Sequence, residues 1–522
     1  MITVFNISSQ VKAPTDSPSA RLDRSILTAA KGGGIVFAGN LFQYGSRFVI
    51  AFLMARLLGA EQLGLCNLAL SAVFIASGLS LLGLPSAIVR YVSLFAGRRD
   101  RDGLWGTLQV GLGLATMVSL FIGIGLFVLA DPIAEQLFHE SRLASLLRVI
   151  SLVVPFLTLN DIIAAATRGF KKMEYGVIGQ SISQPIIRLI LVVSLAVIVG
   201  LNATRALVAF SMSVIIVFVI LLYFLNNLFS LNRPLKAARR DTREILLFSL
   251  PIYLSNLIRT FGGNLQTVLL GALNTATSVG IFAVASQINI IGQMFYGGIS
   301  IASSPIVSEL YDRGEREQMG RFYQTVSMWT FTLNLPLFLI VLLFPVPILS
   351  SFGQSFVGGA SALTILAWAN LVNTGTGICG EVLDMTGNTS LKLVNSIVVF
   401  SLTLGLNIFL IPRWGVVGAA TAALTATATV NLLRLLEVFI LYRLLPYNLS
   451  FLKPVAAGLV TLAIAWGVRS LSPHEANLIY TAMNAIILLA VYAGMILLLG
   501  LSQEDRMVLS RIVQRMSAVL SR

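Results

Sequence analysis

The chain has 522 residues, of which 56% are hydrophobic and only 11% charged, and its mean hydropathy is +0.87. A soluble protein of this length carries about 25% charged residues, so a water-soluble globular fold is excluded. The net charge of +14 is not a nucleic-acid signature, because the basic residues fall in alternate loops between apolar runs.

Residues 1–31 are polar, with Asp16, Pro18, Asp23 and Arg24 and no apolar stretch before Gly32. They read as a disordered cytoplasmic tail that can end in a short surface helix, not as a cleavable signal peptide. From Gly32 to Gly500, apolar stretches of about twenty residues recur between short polar loops, each long enough to cross ~30 Å of hydrocarbon. Lipid offers the backbone no hydrogen-bond partners, so only helices or closed barrels can span it. The runs lack the alternation of barrel strands, which leaves helices.

The expected fold is all-α and polytopic, with about fourteen transmembrane helices. An N-lobe of six spans covers 32–225, a basic cytoplasmic linker 226–242, and a C-lobe of six more spans 243–440. Spans 13 and 14 lie within 454–500. Residues 501–522 form an amphipathic cytoplasmic helix: Val508, Leu509, Ile512, Val513, Met516 and Leu520 recur at helical spacing, with Arg506, Arg511 and Arg515 around them. That helix can lie on anionic lipid or pack against the protein's own inner loops.

Lysine and arginine set the orientation. Every lysine, the Arg98-Arg99 pair and the cluster Arg233, Lys236, Arg239, Arg240 and Arg243 fall in the loops or helix ends that are cytoplasmic if both termini are inside. This is the asymmetry of the positive-inside rule, and a bacterial inner membrane is the expected location. Cys66 and Cys379 sit in apolar runs and read as small core residues. His139 and His474 lie in separate external loops, so no metal site and no cofactor is expected. The loops are too short to hold a soluble catalytic domain, which argues against an enzyme.

The turn after the first span reads Leu63-Gly64-Leu65, with Ala69 beyond; the turn after the seventh reads Val279-Gly280-Ile281, with Ala285 at the same offset. A repeat of six helices preserves orientation, so the halves would be related by an axis along the membrane normal. Three segments then carry a family resemblance: ARLLGAEQLGLCNLALS (Ala55–Ser71), RGFKKMEYGVIGQSISQPIIRLIL (Arg168–Leu191) and NIFLIPRWGVVGAATAAL (Asn407–Leu424). In content and order they resemble polysaccharide flippases of the multidrug/oligosaccharidyl-lipid/polysaccharide exporter superfamily. The resemblance implies two six-helix lobes around a central cavity bordered by the first and seventh helices, and alternating access. It also implies a lipid-linked oligosaccharide substrate, with sodium or protons as coupling partners in some relatives.

Ionisable residues inside a membrane usually face a cavity or a partner. Arg47, Arg188, Arg259 and Arg434 fall within spans 1, 5, 7 and 12, whereas Arg90 is near enough to an end to snorkel. Guanidinium groups suit a pyrophosphate because they stay charged and offer paired donors; structural pairing is the competing reading. Of the carboxylates, only Asp161, Glu381, Asp384 and Glu437 lie in spans, all toward inner ends, so the mid-depth arginines are expected to lack carboxylate partners. Asp161 is the ion-coupling candidate, with helix capping as its alternative. Asn40, Gln43, Asn264, Gln266, Gln287, Asn289, Gln293, Asn370 and Asn373 suggest a wet lumen as a set, although each amide alone can equally bridge helices. Pro85, Pro155, Pro185, Pro251, Pro305 and Pro336 interrupt spans, as hinges or static bends.

The sequence therefore reads as a flippase for polyprenyl-pyrophosphate-linked glycan of O-antigen or exopolysaccharide type. A drug or cation antiporter or lipid II flippase of the same superfamily is the alternative, and a membrane-embedded glycan polymerase or ligase lacks the external loop it would need. The topology has a direct check. Single cysteines at Asp100, Lys171 and Arg239 should react with impermeant maleimide only after permeabilisation, and those at His139, Asn274 and His474 in intact spheroplasts. Labelling of Arg239→Cys from outside would overturn the orientation.

Overall fold

The computed structural model describes residues 18–230, 242–471 and 478–500, and every regular element among them is helical. The first lobe contains α1 (Pro18–Ser80), α2 (Leu84–Arg98), α3 (Arg101–Val128), α4 (Arg142–Ser151), α5 (Val154–Gly169), α6 (Met173–Ile198) and α7 (Ala203–Leu228). The second contains α8 (Thr242–Leu273), α9 (Ala276–Asp312), α10 (Arg316–Leu343), α11 (Pro345–Phe352), α12 (Ala360–Gly375), α13 (Cys379–Met385) and α14 (Thr389–Tyr442). Two further helices, α15 (Leu452–Leu471) and α16 (Leu478–Leu498), follow. Large side chains such as Phe121, Val197 and Leu498 are about four-fifths exposed, as helices that face lipid require.

By length and apolarity 11 of the described helices can cross a bilayer, or 12 if the bent pair α4 and α5 counts as one span. Two of them, Ala38–Ser80 with 43 residues and Ser390–Tyr442 with 53, are about twice as long as one crossing needs. Each is interrupted by a glycine with non-helical backbone, Gly59 at φ 73° and Gly415 at φ 51°. A side chain at positive φ is strained, which is why glycine stands at these breaks. Fourteen crossings follow only if both long helices are divided there.

Polar residues at the surface start the spans. The Asp100 carboxylate accepts from the backbone N–H groups of Asp102 (3.1 Å) and Gly103 (2.9 Å) at the start of α3. Asn202 caps α7 through the Arg205 N–H (2.9 Å), and Thr275 caps α9 through that of Ser278 (3.2 Å). Each satisfies an N–H that the first helical turn cannot. Helix α1 begins at Pro18, within the segment that the sequence reads as a tail able to end in a short helix. Ala20, Leu22, Leu27 and Ala29 are good helix formers adjoining a helix already nucleated in the membrane, so the helix extends outward. Residues 1–17, the cluster at 231–241, His474 and the amphipathic segment after Gly500 lie outside the described residues.

Beside the Gly59 break the two lobes touch backbone to backbone. A Cβ on Gly64 would overlap the Ala276 carbonyl oxygen, and one on Gly280 would overlap that of Ala60. Ala276 and Gly280 stand at the same offset from Ala60 and Gly64, so the contact is reciprocal, as a twofold axis demands. Ion pairs brace this end: Arg142 binds Glu61 (2.5 Å) and Glu140 (2.8 Å), and Arg148 binds Asp131. The Arg142 hydrogen bond holds the Glu140 carboxyl below the usual carboxylate range.

Burial follows the same division. One apolar core, from Ile50 and Leu68 through Val284 to Phe356, is shared by both lobes near the glycine crossing. Toward the other end it splits into a first-lobe core around Ile88, Leu108 and Ile163 and a second-lobe core around Met319, Tyr323 and Val382. Here α8 crosses over: the Tyr253 hydroxyl donates to Leu79 O (3.0 Å) and the Tyr91 hydroxyl to Glu244 (3.0 Å). Both cysteines are free and buried, as expected of small core residues.

The glycine crossing yields a stability test. Gly64→Ala and Gly280→Ala should each destabilise the protein by about 1–3 kcal/mol through overpacking. Gly113→Ala, where a Cβ meets nothing within 4 Å, should be neutral or stabilising. Thermal unfolding in detergent decides, and a Gly64→Ala protein as stable as Gly113→Ala would remove the contact from the account.

Candidate functional site

Between the lobes lies a cavity of about 740 Å³. Its wall takes Gln43, Arg47 and Met54 from α1 before Gly59, and Asn67, Phe74 and Ser77 from α1 after it. Asn160 and Asp161 come from α5, Gln180, Gln184 and Arg188 from α6, and Phe210 from α7. The second lobe supplies Arg259, Thr260 and Asn264 from α8, with Val284 and Gln287 from α9. Helical spacing explains the selection: Gln43 and Arg47, Gln180 and Gln184, and Gln184 and Arg188 are each one turn apart, so one face of each helix carries them.

The three arginines differ in their settings. Arg188 is fixed: its Nη2 donates to Met54 Sδ (3.3 Å), its guanidinium lies 5.1 Å from the Phe210 ring, and its Nε is buried without a partner. Arg47 and Arg259 are exposed, and Arg259 donates to Asn256 Oδ1 at 3.4 Å. Among the described residues none of the three forms a salt bridge. Arg47 is within electrostatic reach of Arg188, so like charges face each other within one lobe.

The expectation of no nearby carboxylate needs correction at one point. Asp161 lines the same cavity and lies within electrostatic reach of Arg259 and Arg168. Hydropathy placed it near a helix end, but α5 runs from Val154 to Gly169, so Asp161 lies in the middle of that helix, on the cavity wall. It is not a helix cap there; its Oδ1 accepts from Gln180 Nε2 at 2.9 Å.

Gln43, Asn264, Gln287 and the three arginines thus converge, whereas Arg434 and Asn40 do not line the cavity. Arg434 lies instead against Gly380, within the second lobe, where glycine leaves room for its long side chain. Asn40 follows Gly39, which packs against Val177, so this turn of α1 meets α6 before the cavity begins. Other amides serve as helix bridges: Asn373 Oδ1 accepts from Asn431 Nδ2 (3.1 Å), and Gln266 Nε2 donates to Ala419 O (3.5 Å). Sequence reasoning missed Asn67, Gln180, Gln184 and Thr260. The one-turn spacing of Gln180, Gln184 and Arg188 in an apolar span was the available signal.

Such a wall can receive an anion beside a hydroxyl-rich body. Unpaired guanidiniums supply charge, and amides with both donors and acceptors supply matching partners for sugar hydroxyls. The sequence profile described as "Polysaccharide biosynthesis protein" matches residues 29–311, and the MatE profile matches residues 251–409. The chain is similar to a probable low-salt glycan biosynthesis flippase, Agl15, of Haloferax volcanii, 23% identical over 74% of this chain and 78% of that protein. It is also similar to stage V sporulation protein B of Bacillus subtilis, 21% identical over 92% of this chain and 97% of that protein. In fold it resembles lipid II flippase MurJ in an inward closed conformation, at TM-score 0.71 and 14% identity over 88% of this chain and 98% of that one. An inward-facing multidrug resistance MATE transporter of the MOP superfamily follows at 0.61 and 17%, over 76% and 94% of the two chains. The profile match spans more than half of the sequence, and the chain belongs to the polysaccharide biosynthesis protein family, as a multi-pass membrane protein.

Proposed function

We propose that this chain moves polyprenyl-pyrophosphate-linked oligosaccharide from the inner to the outer leaflet of a bacterial cytoplasmic membrane, by alternating access, for O-antigen or exopolysaccharide synthesis. The observation that carries this reading is one cavity between two lobes holding Arg47, Arg188 and Arg259 with no salt bridge among the described residues. An arginine in mid-membrane costs about 2.5–3.5 kcal/mol by insertion scales, so three of them without a salt bridge among the described residues favour an anionic guest. Arg47 and Arg259, one from each lobe and both exposed, grip the pyrophosphate. Arg188, held by Met54 and Phe210, adds fixed positive charge beside Arg47. Gln43, Asn264 and Gln287 contact the sugar.

Asp161 is the coupling candidate. Its place beside Gln180 and within reach of Arg259 makes it the carboxylate that an arriving phosphate would most disturb. The same residue favours the runner-up, a drug or cation antiporter, because a cationic guest would seek Asp161 rather than the arginines.

Two measurements test these roles. In reconstituted vesicles, Arg47→Ala and Arg259→Ala should each insert normally yet cut outward movement of labelled polyprenyl-pyrophosphate oligosaccharide by at least about tenfold, the effect of one lost charge-assisted contact. Lysine at either position should rescue only part, since charge survives without the two-donor fork. Full activity in the double alanine variant would place the phosphate elsewhere or make the substrate non-anionic. Asp161→Asn should preserve insertion and abolish the dependence of transport on a sodium or proton gradient. Unchanged gradient dependence would return Asp161 to a structural partner of Gln180.

A further inference from the structure

A second cavity, of about 350 Å³, borders the same helices α1 and α9 as the first. It is walled by Phe48 and Phe52 of α1, Ile288 and Ile291 of α9, Phe338 of α10 and Phe352 of α11. The Phe352 ring centroid is 6.0 Å from that of Phe48 and 5.0 Å from that of Phe52, so aromatic faces close it from both lobes. Three asparagines border it but turn to protein partners. Asn370 Nδ2 donates to Asn334 Oδ1 (3.2 Å), Asn334 Nδ2 to Thr374 Oγ1 (3.1 Å), and Asn289 Nδ2 to Ala285 O (3.0 Å). Asn370 Oδ1 lacks a partner but is itself buried, so it offers no acceptor at the cavity surface. What remains open to a guest is almost all hydrocarbon.

The two cavities back onto the same pair of helices. On α1, Arg47 faces the larger and Phe48 the smaller; on α9, Gln287 faces the larger and Ile288 the smaller. We propose that the smaller cavity holds the isoprene units nearest the phosphate while the pyrophosphate sits at Arg47. This rests on the functional reading above and names where the lipid's tail begins.

Size and tethering support that occupant. An apolar cavity of about 150 Å³ stays dry and takes one benzene ring, so the volume here suits about two five-carbon isoprene units. Any membrane acyl chain is apolar, but a chain covalently joined to a headgroup already bound at Arg47 enters at a high effective concentration. The substrate's own tail therefore outcompetes bulk lipid.

The test is photolabelling of the full chain in vesicles with three probes. Two are polyprenyl-pyrophosphate oligosaccharides with a diazirine on the first or on the last isoprene, and the third is phosphatidylglycerol with a diazirine in its acyl chain. The first-isoprene probe should label peptides containing Phe48 and Phe338, and the other two should not. Ala367, buried in the cavity wall, gives the partner experiment. Ala367→Phe fills the space and should lower transport about tenfold or more, with Ala367→Leu intermediate. Both variants should still bind a water-soluble oligosaccharide pyrophosphate lacking the tail. First-isoprene labelling confined to other helices, equal labelling by phosphatidylglycerol, or wild-type transport by Ala367→Phe would each overturn the proposal. If Ala367→Phe does not fold, labelling of the unaltered protein decides alone. If the unaltered protein moves no pyrophosphate-linked glycan, the functional reading fails first and this inference falls with it. Transport with the label elsewhere sinks only the tail site.

Discussion

The structure depends on one close approach. At Gly64 and Gly280 two helices cross with no side chain between them, and each glycine lies against the backbone oxygen of a residue four positions before its counterpart. Helices in lipid gain little from apolar burial against each other and associate through close packing, so such a crossing holds best where side chains are absent. Because the contact is reciprocal, it sits on the axis relating the lobes. The lobes share an apolar core there and separate cores elsewhere. A cavity exists because they are joined at one end.

That arrangement decides which polar residues meet. Arg47, Arg188 and Arg259 belong to three helices, yet they line one volume because α1, α6 and α8 are brought around it. Their local settings give them unequal freedom. Arg188 is pinned between sulfur and a ring, while Arg47 and Arg259 remain exposed to move with a guest. Asp161 makes the charge pattern asymmetric, with two cations near each other on one side and a cation near a carboxylate on the other. A guest with one anionic end and a neutral polar body matches that asymmetry better than a diffuse cation does.

Polar groups outside the cavity show how the membrane enforces satisfaction. Helix α12 ends at Gly375 and α13 begins at Cys379, and the freed carbonyl of Thr376 accepts from the Tyr323 hydroxyl (2.9 Å). Glu381 accepts from Ser300 and from the Tyr296 hydroxyl, and Glu437 from Asn395 Nδ2 (2.8 Å). A backbone break or a carboxylate is tolerated at such depth where neighbouring helices supply partners. Arg434 belongs to this packed region, which is why its sequence position within a span did not make it a cavity residue.

Much was legible in the sequence because the bilayer imposes simple rules. Apolar runs of spanning length and the matched Leu63-Gly64-Leu65 and Val279-Gly280-Ile281 turns specify helices and a repeat, each set by a local or periodic property. Gln43, Arg47, Asn264 and Arg259 could be singled out because a polar residue in an apolar run is conspicuous whatever surrounds it. Azimuth and bend were not legible. Hydropathy reports depth along the membrane normal, not the direction a side chain takes around its helix. Asp161 therefore looked like a loop-proximal cap although it lies within α5 on the cavity wall, and Asn40 and Arg434 looked like cavity residues although neither lines that cavity. The helices and their polar residues follow from composition and period; which of those residues share a cavity was decided by how two lobes, joined through a pair of glycines, come together.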